Sequence, residues 1–186
     1  MSHARFYADD VERRKWQNPD GILAEIGLRK NMTFVDIGCG GGFFAIPAAQ
    51  LVGKRGKVLA VDIDAQAIEE LKAEADEKGL TNVVTRVGSA EQTVFCESCA
   101  DIAFFGIVLH DFQDASKVLR NAKTMLKPNG VLVDLDWKKT AMQFGPPLSI
   151  RFSEAQATNL LEKARFEIEE KTESGPFHYL IKARSK

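Results

Sequence analysis

Short runs dense in Val, Ile, Leu and Phe alternate along this chain with longer stretches in which apolar residues recur every three or four positions. The short runs are Thr33–Ile37, Lys57–Asp62, Asn82–Val87, Asp101–Phe105 and Val131–Asp136. Apolar residues follow one another within them, as expected of strands buried on both faces of a parallel sheet. The longer stretches, near Phe43–Val52, Ala65–Lys78 and Ala115–Leu126, read as amphipathic helices. In the second of these, Ala67, Ile68, Leu71 and Ala75 form the apolar stripe. Asp64 can cap its start, and Gly79 stands where a left-handed residue ends a helix. Pro47 is tolerable because it falls near a first turn.

The pattern changes towards the C-terminus. Ser153–Ala164 reads as a helix capped by Ser153. Phe166–Thr172 and Phe177–Ala183 then flank the turn signal Glu173-Ser174-Gly175-Pro176. The expected fold is α/β: a Rossmann-like, seven-stranded mixed sheet of five parallel strands and a C-terminal antiparallel hairpin, with helices on both faces. Residues 1–186 are read as one domain, residues 1–30 forming an N-terminal cap over the active site.

Composition narrows the function classes. The 25 basic and 26 acidic residues leave a net charge of −1, against the basic face of a dedicated nucleic-acid binder. The longest apolar runs, such as Val58–Val61 and Ile102–Leu109, fall far short of the roughly 20 residues that cross a bilayer. A cytoplasmic protein with no membrane partner is expected. Three cysteines cannot make a full disulfide framework, and an odd count suggests a reducing compartment. Cys99 is expected to pack beneath the fourth strand and Cys96 to sit in a loop, both unpaired. Only Cys39 remains as a third thiol, so no four-ligand zinc site, and no metal, is expected.

The chemistry concentrates in Val35-Asp36-Ile37-Gly38-Cys39-Gly40-Gly41-Gly42-Phe43, between the first strand and its helix. Glycines at 38, 40 and 42 let the backbone turn sharply and approach a ligand with no Cβ between them. Such loops lie at the carboxyl ends of strands, where open α/β sheets bind ligands. Asp62 ends the second strand and can accept both hydroxyls of a ribose. A dinucleotide fingerprint, Gly-x-Gly-x-x-Gly, would place its third glycine at position 43, which is Phe43.

The loop, Asp-x-Gly-x-Gly-x-Gly, closely resembles the first motif of the class I S-adenosylmethionine-dependent methyltransferases. The resemblance covers about 170 residues in order. It implies that Asp36, Gly38, Gly40, Gly42 and Phe43 build the cofactor loop, that Asp62 holds the ribose, and that Ile63 lies beside the adenine. Gly88-Ser89-Ala90-Glu91 is similar to the segment that meets the adenine amino group, with Ser89 where most members carry Asp. Phe105-Gly106 would lie near the methionine portion, within a stretch that resembles the family's Val-Leu-His and ends at His110. Leu126-Lys127-Pro128-Asn129-Gly130 resembles a Leu-Lys-Pro-Gly-Gly turn; Asn129 there is acceptable because Asn tolerates the left-handed region. Arg14-Lys15-Trp16-Gln17-Asn18-Pro19, Gly145-Pro146-Pro147 and Arg151 point to small prokaryotic members of the ubiquinone-biosynthesis-like group. That group's next helix usually ends in Ala-Gly-Phe; here Arg165 must take a positive φ or end the helix differently.

The implied reaction is methyl transfer from S-adenosylmethionine to an unidentified small molecule. His110 is the first candidate for a general base, with packing or pairing to Asp111 as the alternative. Asp136 and Trp137 would line the acceptor pocket, and Trp16, Phe43, Phe44, Phe144 and Phe152 could form an aromatic wall. The Arg13-Arg14-Lys15-Trp16 cluster reads as a solvated helix face, and His3 and His178 have no assignable partner. Four alternatives stand beside this reading: an S-adenosylmethionine-binding protein without turnover, an NAD-dependent oxidoreductase, RNA or protein methylation, and, as a minor case, arsenite methylation through the Cys96 and Cys99 thiols.

Overall fold

The computed structural model describes residues 10–143 and 145–185, with side chains from residue 12 onward. The chain runs α1 (Asp10–Arg14), α2 (Pro19–Glu25), β1 (Thr33–Ile37), α3 (Ala45–Val52), β2 (Lys57–Asp62), α4 (Ala65–Glu77) and β3 (Val83–Val87). It continues as β4 (Ala100–Gly106), α5 (Ala115–Met125), β5 (Leu126–Trp137), α6 (Glu154–Lys163), β6 (Phe166–Ser174) and β7 (His178–Ser185). The seven strands form one sheet in the order β3-β2-β1-β4-β5-β7-β6. Strands β1 to β5 pair in parallel, and β7 joins β5 and β6 antiparallel. Chain order reverses between β1 and β4, so the crevice above their carboxyl ends is the switch point where α/β sheets bind ligands.

Each face of the sheet has its own core. On one, Phe34, Val58, Ala60, Phe104 and Val133 meet Ala48, Val52, Ile68 and Leu71 of α3 and α4. On the other, Val35, Leu59, Ala103, Phe105 and Leu132 meet Val118, Leu119, Ala157 and Leu161 of α5 and α6. Neighbouring residues of β1 and β4 serve opposite cores, which is why these strands are apolar without alternation.

The caps agree with the local chemistry. Asp64 accepts from the backbone N–H groups of Gln66 and Ala67, and Gly79 adopts φ +63° after α4. Ser153 and Gln156 close a reciprocal capping box on α6. Pro47 lies in the first turn of α3. Arg165 does take a positive φ of 65°, and its carbonyl accepts from Lys123 Nζ at 3.0 Å.

Three local expectations need correction. Asn129 is not left-handed; Leu126–Gly130 is extended at the start of β5, and tightness falls on Gly130, where a Cβ would stand 2.9 Å from Ala100 O. Asn82 is not in β3: its buried amide donates to Ala49 O at 2.9 Å and Gly53 O at 3.0 Å, terminating α3. Cys96 and Cys99 are bonded to each other rather than unpaired. Among the described residues no helix is long and apolar enough to cross a membrane.

Asn82→Ala would remove both side-chain hydrogen bonds, leaving Ala49 O and Gly53 O with only the backbone N–H groups of Gly53 and Gly56. We expect a loss of about 1–3 kcal/mol in urea unfolding, with the slope of the transition unchanged.

Candidate cofactor site

After Ile37 the chain leaves β1, and the N–H groups of Gly38 and Cys39 both donate to Val61 O, at 2.8 and 3.1 Å. The loop is thereby tied to the end of β2. Two of its glycines are demanded by packing: a Cβ on Gly38 (φ +76°) or Gly42 (φ +97°) would stand 2.5 Å from Val108 Cγ2 or Leu71 Cδ1. Gly40 is different. It has φ +52°, yet nothing lies within 4 Å of where its Cβ would be. Bare backbone therefore faces open space at the switch point, as a closely approaching ligand requires.

Asp62 organises this edge. Its Oδ2 accepts from Gly40 N–H at 2.8 Å and its Oδ1 from Asp64 N–H at 2.9 Å, while its own carbonyl accepts from Gly88 N–H at 2.8 Å. An ionised carboxylate has about four acceptor positions, so both oxygens retain capacity for ribose hydroxyls. Ile63 beside it is 76% exposed, an apolar side chain at the strand end with no core to join. Ser89 and Glu91 engage each other: the Ser89 hydroxyl donates to the Glu91 carboxylate and accepts from Glu91 N–H. Burial works against the charge on Glu91. Bonds from Ser89 and from the backbone N–H groups of Glu91, Asp114 and Gln113 outweigh it and hold the carboxyl below its usual range. Ala90 is buried in the short turn between them.

Asp36 is buried, and its Oδ2 has no hydrogen-bond partner among the described residues. Burial and then the charge of Asp62 push its carboxyl up to about 7, with the nearby Arg13 guanidinium opposing them. Arg13 lies 3.8 Å above the Phe43 ring centroid and is half-buried, whereas Arg14 and Lys15 of the same cluster are exposed. Only its proximity in the fold reveals this, because nothing in the Arg-Arg-Lys run marks one arginine as inward.

At the end of β4, Phe105 is buried, and a Cβ on Gly106 would stand 2.7 Å from Phe104 and 3.0 Å from Phe44. Ile107 follows with φ +64°, a costly conformation for a β-branched residue, held by a 2.7 Å bond from its N–H to Leu135 O. His110 then turns inward. Its Nδ1 is 2.8 Å from Asp136, its side chain is fully buried, and its Nε2 lies 3.5 Å from Asp111 Oδ1. Burial disfavours the imidazolium, but the hydrogen bond to Asp136 and the charges of Asp136 and Asp111 prevail, raising the His110 pKa above its ordinary value. Asp136 also accepts from Trp137 N–H at 2.7 Å.

The five sequence-expected aromatics do not form one wall. Trp16, Phe43 and Phe44 join the α3 side of the sheet, whereas Phe152 packs on the α5 side; Phe144 and His3 lie outside the described residues. His178 does find partners. It stacks on Trp16 (5.5 Å, 17°) and lies 4.3 Å from the Trp137 ring, and burial, then Arg13, Lys138 and Arg151, push its pKa down to about 3. A cavity of about 260 Å³ opens beneath the loop after β5, lined by Met142, Gly145, Pro146, Pro147, Leu148 and Arg151. Arg151 holds that loop by donating to the carbonyls of Pro146 (2.7 Å), Thr140 (3.1 Å) and Lys138 (3.3 Å).

A family model described as a methyltransferase domain matches residues 28–173. The chain belongs to the class I S-adenosylmethionine-dependent methyltransferases. The solved structure of an S-adenosylmethionine-dependent methyltransferase from Aquifex aeolicus superposes with a TM-score of 0.87 and 26% identity, covering 95% of this methyltransferase and 98% of that chain. A tRNA 5-carboxymethoxyuridine methyltransferase of Escherichia coli K12 is 35% identical over 63% of this chain and 44% of its own length. A ubiquinone/menaquinone biosynthesis C-methyltransferase of Francisella tularensis subsp. novicida is 30% identical over 63% of this chain and 47% of its own. The chain thus spans about half the length of these two curated relatives.

S-adenosylmethionine is the cofactor of this family, and the loop fits it. Gly40 is uncovered, the Asp36 Oδ2 lacks the partner that a cationic group would supply, and Asp62 and Ile63 offer an acceptor and an apolar face side by side. The dinucleotide reading fails at Phe43, which is buried in the core where a third glycine would be needed.

Asp62→Ala removes the acceptor that holds Gly40 N–H and that a ribose at this strand end would use. Cofactor affinity by calorimetry should fall about 10- to 100-fold, as expected for loss of hydrogen bonds to a charged group. A second expectation concerns pH. The folded pKa of His110 is raised, so its pairing with Asp136 contributes fully below pH about 6.5 and is lost as pH climbs through the folded pKa. The stability gap between the parent protein and Asp136→Asn should therefore be largest near pH 6 and shrink towards pH 9 in denaturant titrations.

Proposed function

We propose that this chain transfers a methyl group from S-adenosylmethionine to a small-molecule acceptor bound between His110 and the Arg151-held loop. The observation that carries the reading is the exposed Gly40 backbone clamped to Asp62 at the switch point. S-adenosylmethionine, when bound, supplies a methyl group on a positively charged sulfur, poised for in-line displacement. The chain's own residues do the rest. Asp62 would hold the ribose, Ile63 would cover the adenine, and Ser89, Ala90 and Glu91 would border its amino group. Asp36 and Arg13 provide an anion and a cation near one another, suited to the ammonium and carboxylate of an amino acid. Arg13 would thereby make the N-terminal segment a cap over the glycine loop.

On the acceptor side, His110 serves as the base. Asp136 accepts the Nδ1 proton, which leaves the lone pair on Nε2. That Nε2 has no hydrogen-bond partner among the described residues, and an acceptor hydroxyl donating to it would fill the gap. A proton taken there can pass to Asp111, 3.5 Å away and partly exposed. The raised pKa suits a base working near neutrality, and alignment of the acceptor with the methyl group can supply about 7–11 kcal/mol of the barrier reduction.

Incubation with labelled S-adenosylmethionine and fractionated small-molecule extracts tests the reading. Label moving into a product supports it, whereas tight cofactor binding with no product from any fraction would make the chain a binding protein without turnover. With a turned-over acceptor in hand, His110→Gln should lower kcat about 100-fold or more and abolish the acidic limb of the pH profile, leaving cofactor affinity within twofold. Arg13→Ala should do the reverse, raising the cofactor KM about tenfold while sparing kcat.

A further inference from the structure

We propose that Cys96 and Cys99 form a redox-active centre that exchanges two electrons with dithiol reductants, at the edge of the sheet opposite the cofactor. The two sulfurs are bonded across Cys96-Glu97-Ser98-Cys99, in the turn that enters β4. Both cysteines are half-buried, and Glu97 and Ser98 between them are exposed, so a reductant can reach the bridge. Ser98 sits at φ +49°, a left-handed turn of a non-glycine residue that brings the two side chains together.

The turn does not depend on the bridge for its shape. Ser98 N–H donates to Thr124 O at 3.0 Å, Cys99 N–H to Met125 O at 2.9 Å, and Phe95 N–H to Met125 Sδ at 3.3 Å. The segment stays anchored to the end of α5 whether or not the sulfurs are joined. A covalent ring this short also removes little loop entropy from the unfolded chain, so stability gives it a weak purpose. A Cys-x-x-Cys pair is instead the arrangement in which two thiols interconvert with a disulfide.

The chemistry balances without the cofactor. A thiolate of the reductant attacks one sulfur, the Cys96–Cys99 bond breaks, and the released thiolate takes a proton from water. The reductant's second thiolate then resolves the mixed disulfide. Two electrons and two protons reach the pair, and the reductant leaves as its own disulfide. Cys39 stays out of this exchange: it is buried in the glycine loop, and burial together with the charges of Asp36 and Asp62 pushes its thiol far above the range where thiolate forms.

The test treats the folded full chain with dithiothreitol, alkylates it with N-ethylmaleimide, and reads the intact mass and modified peptides. Before reduction no native cysteine should be labelled. After reduction Cys96 and Cys99 should both be labelled and Cys39 not, with near-ultraviolet circular dichroism and S-adenosylhomocysteine affinity within twofold of the oxidised protein. Oxidised dithiothreitol should restore the unlabelled state in the parent and fail to do so in Cys96→Ser or Cys99→Ser. A bridge that opens only on unfolding, thiols that do not re-pair, or reduction that collapses the fold would each overturn the proposal. Because the readout is labelling, it stands or falls independently of methyl transfer.

Discussion

The carboxylate of Asp62 binds two separate stretches of chain at the switch point. It accepts from Gly40 across the β1–β2 boundary and from Asp64 at the start of α4, and its carbonyl receives Gly88 from beyond β3. The glycine loop, the start of α4 and the turn after β3 thus converge on one residue. The glycine loop can be open at Gly40 because it is pinned on either side: Gly38 and Cys39 are tied to Val61 O, and Gly42 packs against Leu71 of α4. A loop of this composition would otherwise be expensive to order, since glycine loses more conformational freedom on folding than any other residue.

The site's acids divide according to surroundings rather than type. Asp36 and Asp134 are both fully buried, and burial is the largest influence raising each. Asp134 shares the α5 side of the sheet with Asp136, whose charge raises it further, and neither oxygen of Asp134 has a hydrogen-bond partner among the described residues. Asp136 differs in having partners: His110 Nδ1 at 2.8 Å and the Trp137 N–H at 2.7 Å. One strand thus carries, two residues apart, a buried carboxyl without a hydrogen-bond partner among the described residues and a carboxyl that holds the His110 imidazole in place.

Much of this was legible in the chain. The apolar runs marked β1, β2 and β4 closely, because two-sided burial leaves a continuous apolar signal, while the largely exposed β3 and β6 were read from residue type and from the Gly-Pro turn of the hairpin. The β5 start was misjudged, since Lys127-Pro128-Asn129 has turn composition yet lies extended beside Ala100. Helix α2 escaped because seven residues are too few to show a helical period, and α1 was marked only by the basic cluster at its end. Asp62 and the glycines stood out through spacing. The inward turn of Arg13 and the His110–Asp136 pair did not, for partners 26 positions apart are brought together only by the parallel pairing of β4 with β5.

That same pairing separates the two sulfur-bearing regions. Strand β4 runs from Ala100, next to the Cys96–Cys99 turn, to Gly106 at the cofactor edge, and seven residues at about 3.3 Å each span roughly 20 Å. In-line transfer needs the accepting atom within about 3–3.5 Å of the methyl group. With the methyl donor on the glycine loop, as proposed, an acceptor held by the Cys96 and Cys99 thiols would lie at the opposite end of β4, beyond the reach of in-line transfer. The only cysteine at the cofactor edge is Cys39, and its environment suppresses the thiolate such an acceptor would require.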